Sequence, residues 1–255
     1  MRVALAGKGG AGKTTVSAAL ARTWAADGRR VCAIDADSNP NLGTALGVPR
    51  EAMAGLGAIP SALVSRRLDG GPALREPVEA LLDAYAAAGP DGLRLLMMGM
   101  PAHADEGCLC SAHATIAAVM ADLGDDPATM TVIDMEASPE HFSRGTARHT
   151  DVLLLVTEPY WRSLETTRRM ALLAAELPIA RVAVVGSKVR HADDQALVEE
   201  FCDSHGLHLL GVVPRSESVV DADVAGRSLV DVAGADDPVV TAVQRLALVL
   251  QPSLT

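Results

Sequence analysis

Short apolar runs recur along the 255-residue chain, at residues 2–6, 31–35, 93–98, 131–134, 152–156, 182–185 and 209–213. Most are continuously apolar and do not alternate, which is the pattern of strands covered on both faces. Between them, apolar residues at helical spacing mark residues 14–26, 77–88, 112–123, 163–177, 193–205 and 239–250. Strand–helix alternation with no Pro/Ser-rich linker predicts one α/β domain over residues 1–255. The expected architecture is a mostly parallel, doubly wound sheet flanked by helices, with ligands at the carboxyl ends of the strands. Residues 47–73 are rich in Gly, Ala and Pro and read as an irregular excursion.

The junction between the first strand and the first helix changes this picture from fold to chemistry. Residues 7–15 read Gly-Lys-Gly-Gly-Ala-Gly-Lys-Thr-Thr. This is a phosphate-binding loop in the context the motif requires, and it predicts a P-loop nucleotide site. Backbone N–H groups of Gly9, Gly10, Ala11, Gly12, Lys13, Thr14 and Thr15 would cradle a triphosphate at the positive end of the helix. Lys13 is expected on the β- and γ-phosphates, and the Thr14 hydroxyl on Mg²⁺. Lys8 comes too early in the loop for that lysine's task.

Acidic residues end two of the apolar runs. The strand at 31–34 leads into Asp35-Ala-Asp37, and i, i+2 spacing at a strand end allows both carboxylates to face the phosphates. Asp134 closes the run at 131–133, the Walker B arrangement, and is expected to hold Mg²⁺ through water. Gly186-Ser187-Lys188, after the run at 182–185, resembles the Asn-Lys pair that reads the base in related P-loop ATPases, with Ser187 where Asn would stand. The loop around Pro214 and Arg215 resembles their second base-contacting segment, and the resemblance implies base contacts at both. ATP is the expected nucleotide, and the sequence leaves GTP open.

Charge and composition narrow the partners. A net charge of −10 argues against non-specific nucleic-acid binding, which needs basic patches. No apolar stretch is long enough for a membrane span, and Arg245 is the one cation within residues 238–250, too little for a basic amphipathic anchor. That last helix reads as packed on the core. The N-terminus is itself the first strand, so a cytoplasmic location is expected.

Of four cysteines, Cys32 and Cys202 lie in core-like patterns. Cys108 and Cys110 form a C-x-C just before a predicted helix, whose N-terminus would favour thiolates. Two sulfurs supply half of a tetrahedral metal site, and a symmetric dimer would supply all four. His103 and His113 flank the pair and read more simply as loop and helix residues.

The segment Lys8–Thr15 resembles the KGGxGK[ST][ST] motif of the deviant Walker A ATPases, the MinD/ParA/nitrogenase-iron-protein group. The resemblance implies that Lys8 reaches the nucleotide of a partner protomer in an ATP-dependent homodimer. It also implies that Asp37 orients or activates the attacking water, while Asp35 supports the Mg²⁺ and phosphate network. Within that group the chain resembles the CooC-type ATPases, nickel-handling maturation factors of carbon monoxide dehydrogenase. The resemblance rests on the C-x-C and on Asp134-Met-Glu-Ala-Ser-Pro-Glu-His-Phe-Ser-Arg-Gly-Thr146, where Ser138 replaces the glycine of the family pattern and Pro139 follows it. It implies Ni²⁺ or Zn²⁺ at Cys108/Cys110 and a client nickel enzyme. Glu136 and His141 read either as metal or client contacts or, more simply, as residues that order the segment after Asp134. A positioning or partitioning switch without metal is the alternative; the C-x-C and the acidic charge speak against it.

Overall fold

The computed structural model describes residues 1–54, 56, 59–66, 72–98, 110–123, 126, 128–137, 142 and 146–250. The strands are β1 (Arg2–Gly7), β2 (Arg30–Ala36), β3 (Val64–Arg66), β4 (Pro72–Leu74), β5 (Ala87–Ala88), β6 (Arg94–Met97), β7 (Thr129–Met135), β8 (Val152–Thr157), β9 (Arg181–Val189) and β10 (Leu209–Pro214). The helices are α1 (Lys13–Ala26), α2 (Leu42–Leu46), α3 (Arg50–Ala54), α4 (Val78–Tyr85), α5 (Cys110–Leu123), α6 (Trp161–Ala174), α7 (Ala192–Ser204), α8 (Glu217–Val224), α9 (Leu229–Ala233) and α10 (Pro238–Leu250).

The main sheet has the order β10-β9-β8-β1-β7-β2-β6-β5. Every pairing in it is parallel except β5 on β6. Successive residues of a strand point to opposite faces. Val3 and Leu5 therefore enter one core, with Leu20 and Trp24 of α1 and Val243 and Leu246 of α10. Ala4 and Ala6 enter the other, with Ile116 and Met120 of α5, Leu164 and Met170 of α6 and Phe201 of α7. Both faces are dry, which is why the strands read as unbroken apolar runs. Trp24 is wholly buried. Among the described residues, no helix is long and apolar enough to cross a membrane.

Each predicted strand is present, and helix α10 buries Val239, Val240, Val243, Leu246, Ala247 and Leu250, as a helix packed on the core should. Cys32 and Cys202 are buried, and desolvation pushes their thiols up to about 12 and about 11. The helix expected over 77–88 is corrected: α4 stops at Tyr85, and Ala87–Ala88 form an antiparallel edge strand. Alanine tolerates a helix, but the Gly89-Pro90 turn reverses the chain and hands Ala87 to Leu95 as a partner. Residues 47–73, expected to be irregular, contain α3 and strand β3, which pairs antiparallel with β4 across Val64↔Leu74.

Register sets the site. Leu5 pairs with Asp134, and Asp134 with Asp35. The carboxyl ends of β1, β7 and β2 are thus flush, and two acids stand beside the point where the chain leaves β1.

Candidate functional site

The loop between β1 and α1 is shaped by two glycines. A Cβ at Gly7 would fall on the Val156 carbonyl oxygen of β8. Gly12 caps α1 in the left-handed region, at φ 93°, and a Cβ there would come within 2.9 Å of Ser187 Oγ. The loop is closed by the Ala11 N–H donating to the Lys8 carbonyl at 3.1 Å. Lys13 is buried and donates from Nζ to the same carbonyl at 3.5 Å. Burial holds its pKa below the ordinary lysine value, against the pull of Asp134, Asp37 and Glu136. Those three carboxylates therefore stand around the Lys13 ammonium.

Asp134 is the acid best fixed in place. Thr14 Oγ1 donates to its Oδ2 at 2.5 Å and Ser17 Oγ to its Oδ1 at 3.3 Å. Burial pushes the carboxyl up to about 6, against these hydrogen bonds and Lys13. Ser17 was missed from sequence, although it lies one helical turn after Thr14 and so shares its face. A desolvated carboxylate beside two hydroxyls is a set of hard oxygen donors and fits Mg²⁺.

The pair Asp35 and Asp37 divides. Asp35 is fully buried and accepts the Leu42 N–H at 2.8 Å and the Asp37 N–H at 3.2 Å. Desolvation pushes it up to about 7. Both its oxygens are thus turned to the loop that carries Asp37 and leads into α2. Asp37 is half-buried and accepts the Asn39 N–H at 2.8 Å. Ser38 Oγ donates to Glu136 Oε1 at 3.2 Å, which ties the loop after β2 to the segment after β7.

On the other side of the loop lies a cavity of about 580 Å³ lined by Gly12, Thr15, Glu158, Tyr160, Ser187, Lys188 and Pro214, among others. The expected base-side residues do converge there. Ser187 is buried against the loop, and Lys188, at φ 57°, donates from Nζ to the Gly10 carbonyl at 2.5 Å. Glu158 and Tyr160 were not foreseen. No motif flags them; they arrive because β8 is the sheet neighbour of β1.

Cys108, His103, Ser138, Pro139, Glu140, His141 and Arg144 lie outside the described residues. Cys110 opens α5, and its side chain lies outside them as well. Among the described residues, no group of three or more His, Cys, Asp or Glu could hold a metal ion. His113 is buried, 3.3 Å from Thr146 Oγ1 through Nδ1, as a core histidine would be.

A model of the CobQ/CobB/MinD/ParA nucleotide binding domain matches residues 3–230. The chain belongs to that family. It is 34% identical over 242 residues to the carbon monoxide dehydrogenase accessory protein CooC of Rhodospirillum rubrum, covering 92% of this chain and 91% of that one. It is 32% identical over 240 residues to an uncharacterized ATP-binding protein of Methanocaldococcus jannaschii, covering 90% and 91%. The fold matches MinD of Pyrococcus horikoshii OT3, complexed with Mg-ADP, at a TM-score of 0.74, with 21% identity and 96% and 94% of the two chains covered. A ParA family ATPase from Chlorobium tepidum TLS gives 0.72, with 19% identity and 98% of each chain covered. The fold is that of the P-loop ATPases of this family.

Proposed function

We propose that the chain is an ATP-hydrolysing, nucleotide-dependent dimeric metallochaperone that couples its ATP cycle to nickel insertion into a client metalloenzyme such as carbon monoxide dehydrogenase. The observation that carries the ATPase part is the meeting of the loop at residues 8–15 with a second acidic strand end, through Thr14 and Asp134 at 2.5 Å. Support for the cargo comes from the C-x-C at Cys108 and Cys110 and from the likeness to the CooC protein. Thiolates favour neither nickel nor zinc decisively, so the preference for nickel rests on that likeness.

Catalysis in this reading is positioning and charge neutralisation. Backbone amides of residues 9–15 seat the phosphates, and Lys13 neutralises the β- and γ-oxygens. Thr14 and Asp134 would hold Mg²⁺, which supplies further charge neutralisation when bound. Asp37 orients the attacking water, while Asp35 keeps the Asp37 loop in register through the Leu42 and Asp37 amides. Lys8 serves the nucleotide of the partner protomer. Ser187, Lys188 and Pro214 border the base.

Metal analysis of purified protein with and without ATP, alongside its mass in solution, tests this reading. Cys108→Ala with Cys110→Ala should abolish stoichiometric metal and leave ATP binding intact; unchanged metal content would remove the chaperone role. In the same preparations Asp37→Ala should bind ATP normally but hydrolyse it about a hundredfold more slowly.

A further inference from the structure

Lys8 does not point into its own loop. Its Nζ lies 5.7 Å from the centroid of the Tyr160 ring, within cation–π range. The ring is itself anchored. Tyr160 Oη donates to Glu158 Oε1 at 3.2 Å, and Glu158 Oε2 pairs with Lys188 Nζ at 3.4 Å. Lys188 returns to the loop at the Gly10 carbonyl, two residues from Lys8. The contacts form a closed circuit: Lys8, Tyr160, Glu158, Lys188, Gly10.

The turn that presents Tyr160 is tied down by hydrogen bonds. The Glu158 N–H donates to Ser163 Oγ at 2.9 Å, Thr157 Oγ1 to the same oxygen at 3.1 Å, and the Tyr160 N–H to the Glu158 carbonyl at 2.8 Å. Ser163 is fully buried, so this geometry is built into the fold. Tyr160 is also the residue that caps α6 at its N-terminus, where the helix field disfavours a cation. The ring face and the Glu158 carboxylate offset that field. The result is a weak hold on an ammonium group, which a stronger anion would outcompete.

We propose that Tyr160 is a positioning residue that parks Lys8 on its own protomer until a partner's nucleotide claims it. The inference rests on the reading of Lys8 as a lysine acting across a dimer. The same circuit gives the parking a link to ligand. Glu158, Tyr160 and Lys188 line the base-side cavity, so a base entering it meets the groups that hold the ring. Parking thus lowers the tendency of an empty protomer to offer Lys8 to a partner.

The test is a double-mutant cycle on dimerisation driven by a non-hydrolysable ATP analogue, followed by sedimentation velocity. Tyr160→Phe keeps the ring face, while Tyr160→Leu keeps apolar bulk and loses it. Tyr160 caps α6 without a side-chain hydrogen bond, so neither change removes a cap. Tyr160→Leu should lower the dimerisation midpoint by about two- to fivefold, the scale of an exposed cation–π contact, and Tyr160→Phe by less than about twofold. In a Lys8→Ala background, Tyr160→Leu should shift nothing. An unchanged or raised midpoint for Tyr160→Leu, or a shift that persists without Lys8, overturns the parking role. If Lys8→Ala alone dimerises normally, the cross-protomer reading of Lys8 falls first; if it dimerises poorly while Tyr160→Leu is silent, only the parking role falls.

Discussion

The two sides of this site, the phosphate side and the base side of the proposed reading, are built on opposite principles. On the phosphate side, acids at the ends of adjacent strands are buried and saturated with contacts: Asp35 by two backbone amides, Asp134 by two hydroxyls. On the base side, a cavity of about 580 Å³ is bordered by an ion pair, a tyrosine and the end of β10. The first side holds its acids where water cannot reach and fixes them with hydrogen bonds from the protein itself. The second is bordered by Glu158 and Lys188, which are each other's partners at 3.4 Å. In the proposed cycle, the acids that serve the chemistry sit at strand ends, and the ion pair beside the cavity joins the segment after β8 to the end of β9.

The largest test of that difference removes the central cation of the tight side. Lys13→Ala would delete the charge-assisted contacts proposed to two phosphates and should weaken nucleotide binding by a factor on the order of a hundred or more, read by calorimetry. Retained affinity would mean that the loop is not the phosphate site, and the contrast would collapse.

A second test uses pH in the nucleotide-free protein. Asp35 and Asp134 titrate near their ordinary value of 3.8 when unfolded, but at about 7 and about 6 when folded. Between those values the folded chain holds protons that the unfolded chain has released. Stability is therefore greater at low pH in this window and falls as pH rises through 6 to 7. The ion pairs of Asp194 and Glu165, whose carboxyls are held down at about 2, act the other way, but only below about pH 4. The melting temperature should drop by a few degrees from pH 5.5 to 7.5, and Mg-ADP should flatten the drop by supplying counter-charge. A rise over that interval would show that the acids are not strained by burial.

The smallest effect belongs to the loose side. Ser187→Ala removes a single neutral hydroxyl, so ATP affinity should change by only about threefold. A hundredfold loss would show that the base side is as tightly built as the phosphate side.

The strands and the phosphate loop were legible in the sequence because they are local: unbroken apolar runs and a nine-residue motif carry them. Asp134 was legible as well, since an acid closing such a run stands at a strand end whatever surrounds it. The partners were not legible. Asp35 and Asp37 look equivalent at i and i+2, yet only the fold brings the Leu42 amide back to Asp35. Glu158 and Tyr160 carry no motif and reach the site only because β8 lies beside β1. Edge strand β5 was read as helix because alanine is permissive, and the Gly89-Pro90 turn and the pairing with Leu95 decide against it. Helices α8 and α9, of eight and five residues, are too short to show a clear period.

The two tryptophans stand at opposite extremes of exposure. Trp24 is wholly shielded inside α1, and Trp161, next to the tyrosine under Lys8, is 71% exposed. With only two tyrosines in the chain, indole emission dominates the ultraviolet fluorescence. A soluble quencher reaches one indole and spares the other. The protein thus carries two optical channels: a shielded indole that reports whether the sheet and α1 are assembled, and an exposed one, next in sequence to Tyr160, that reports on the turn carrying that residue.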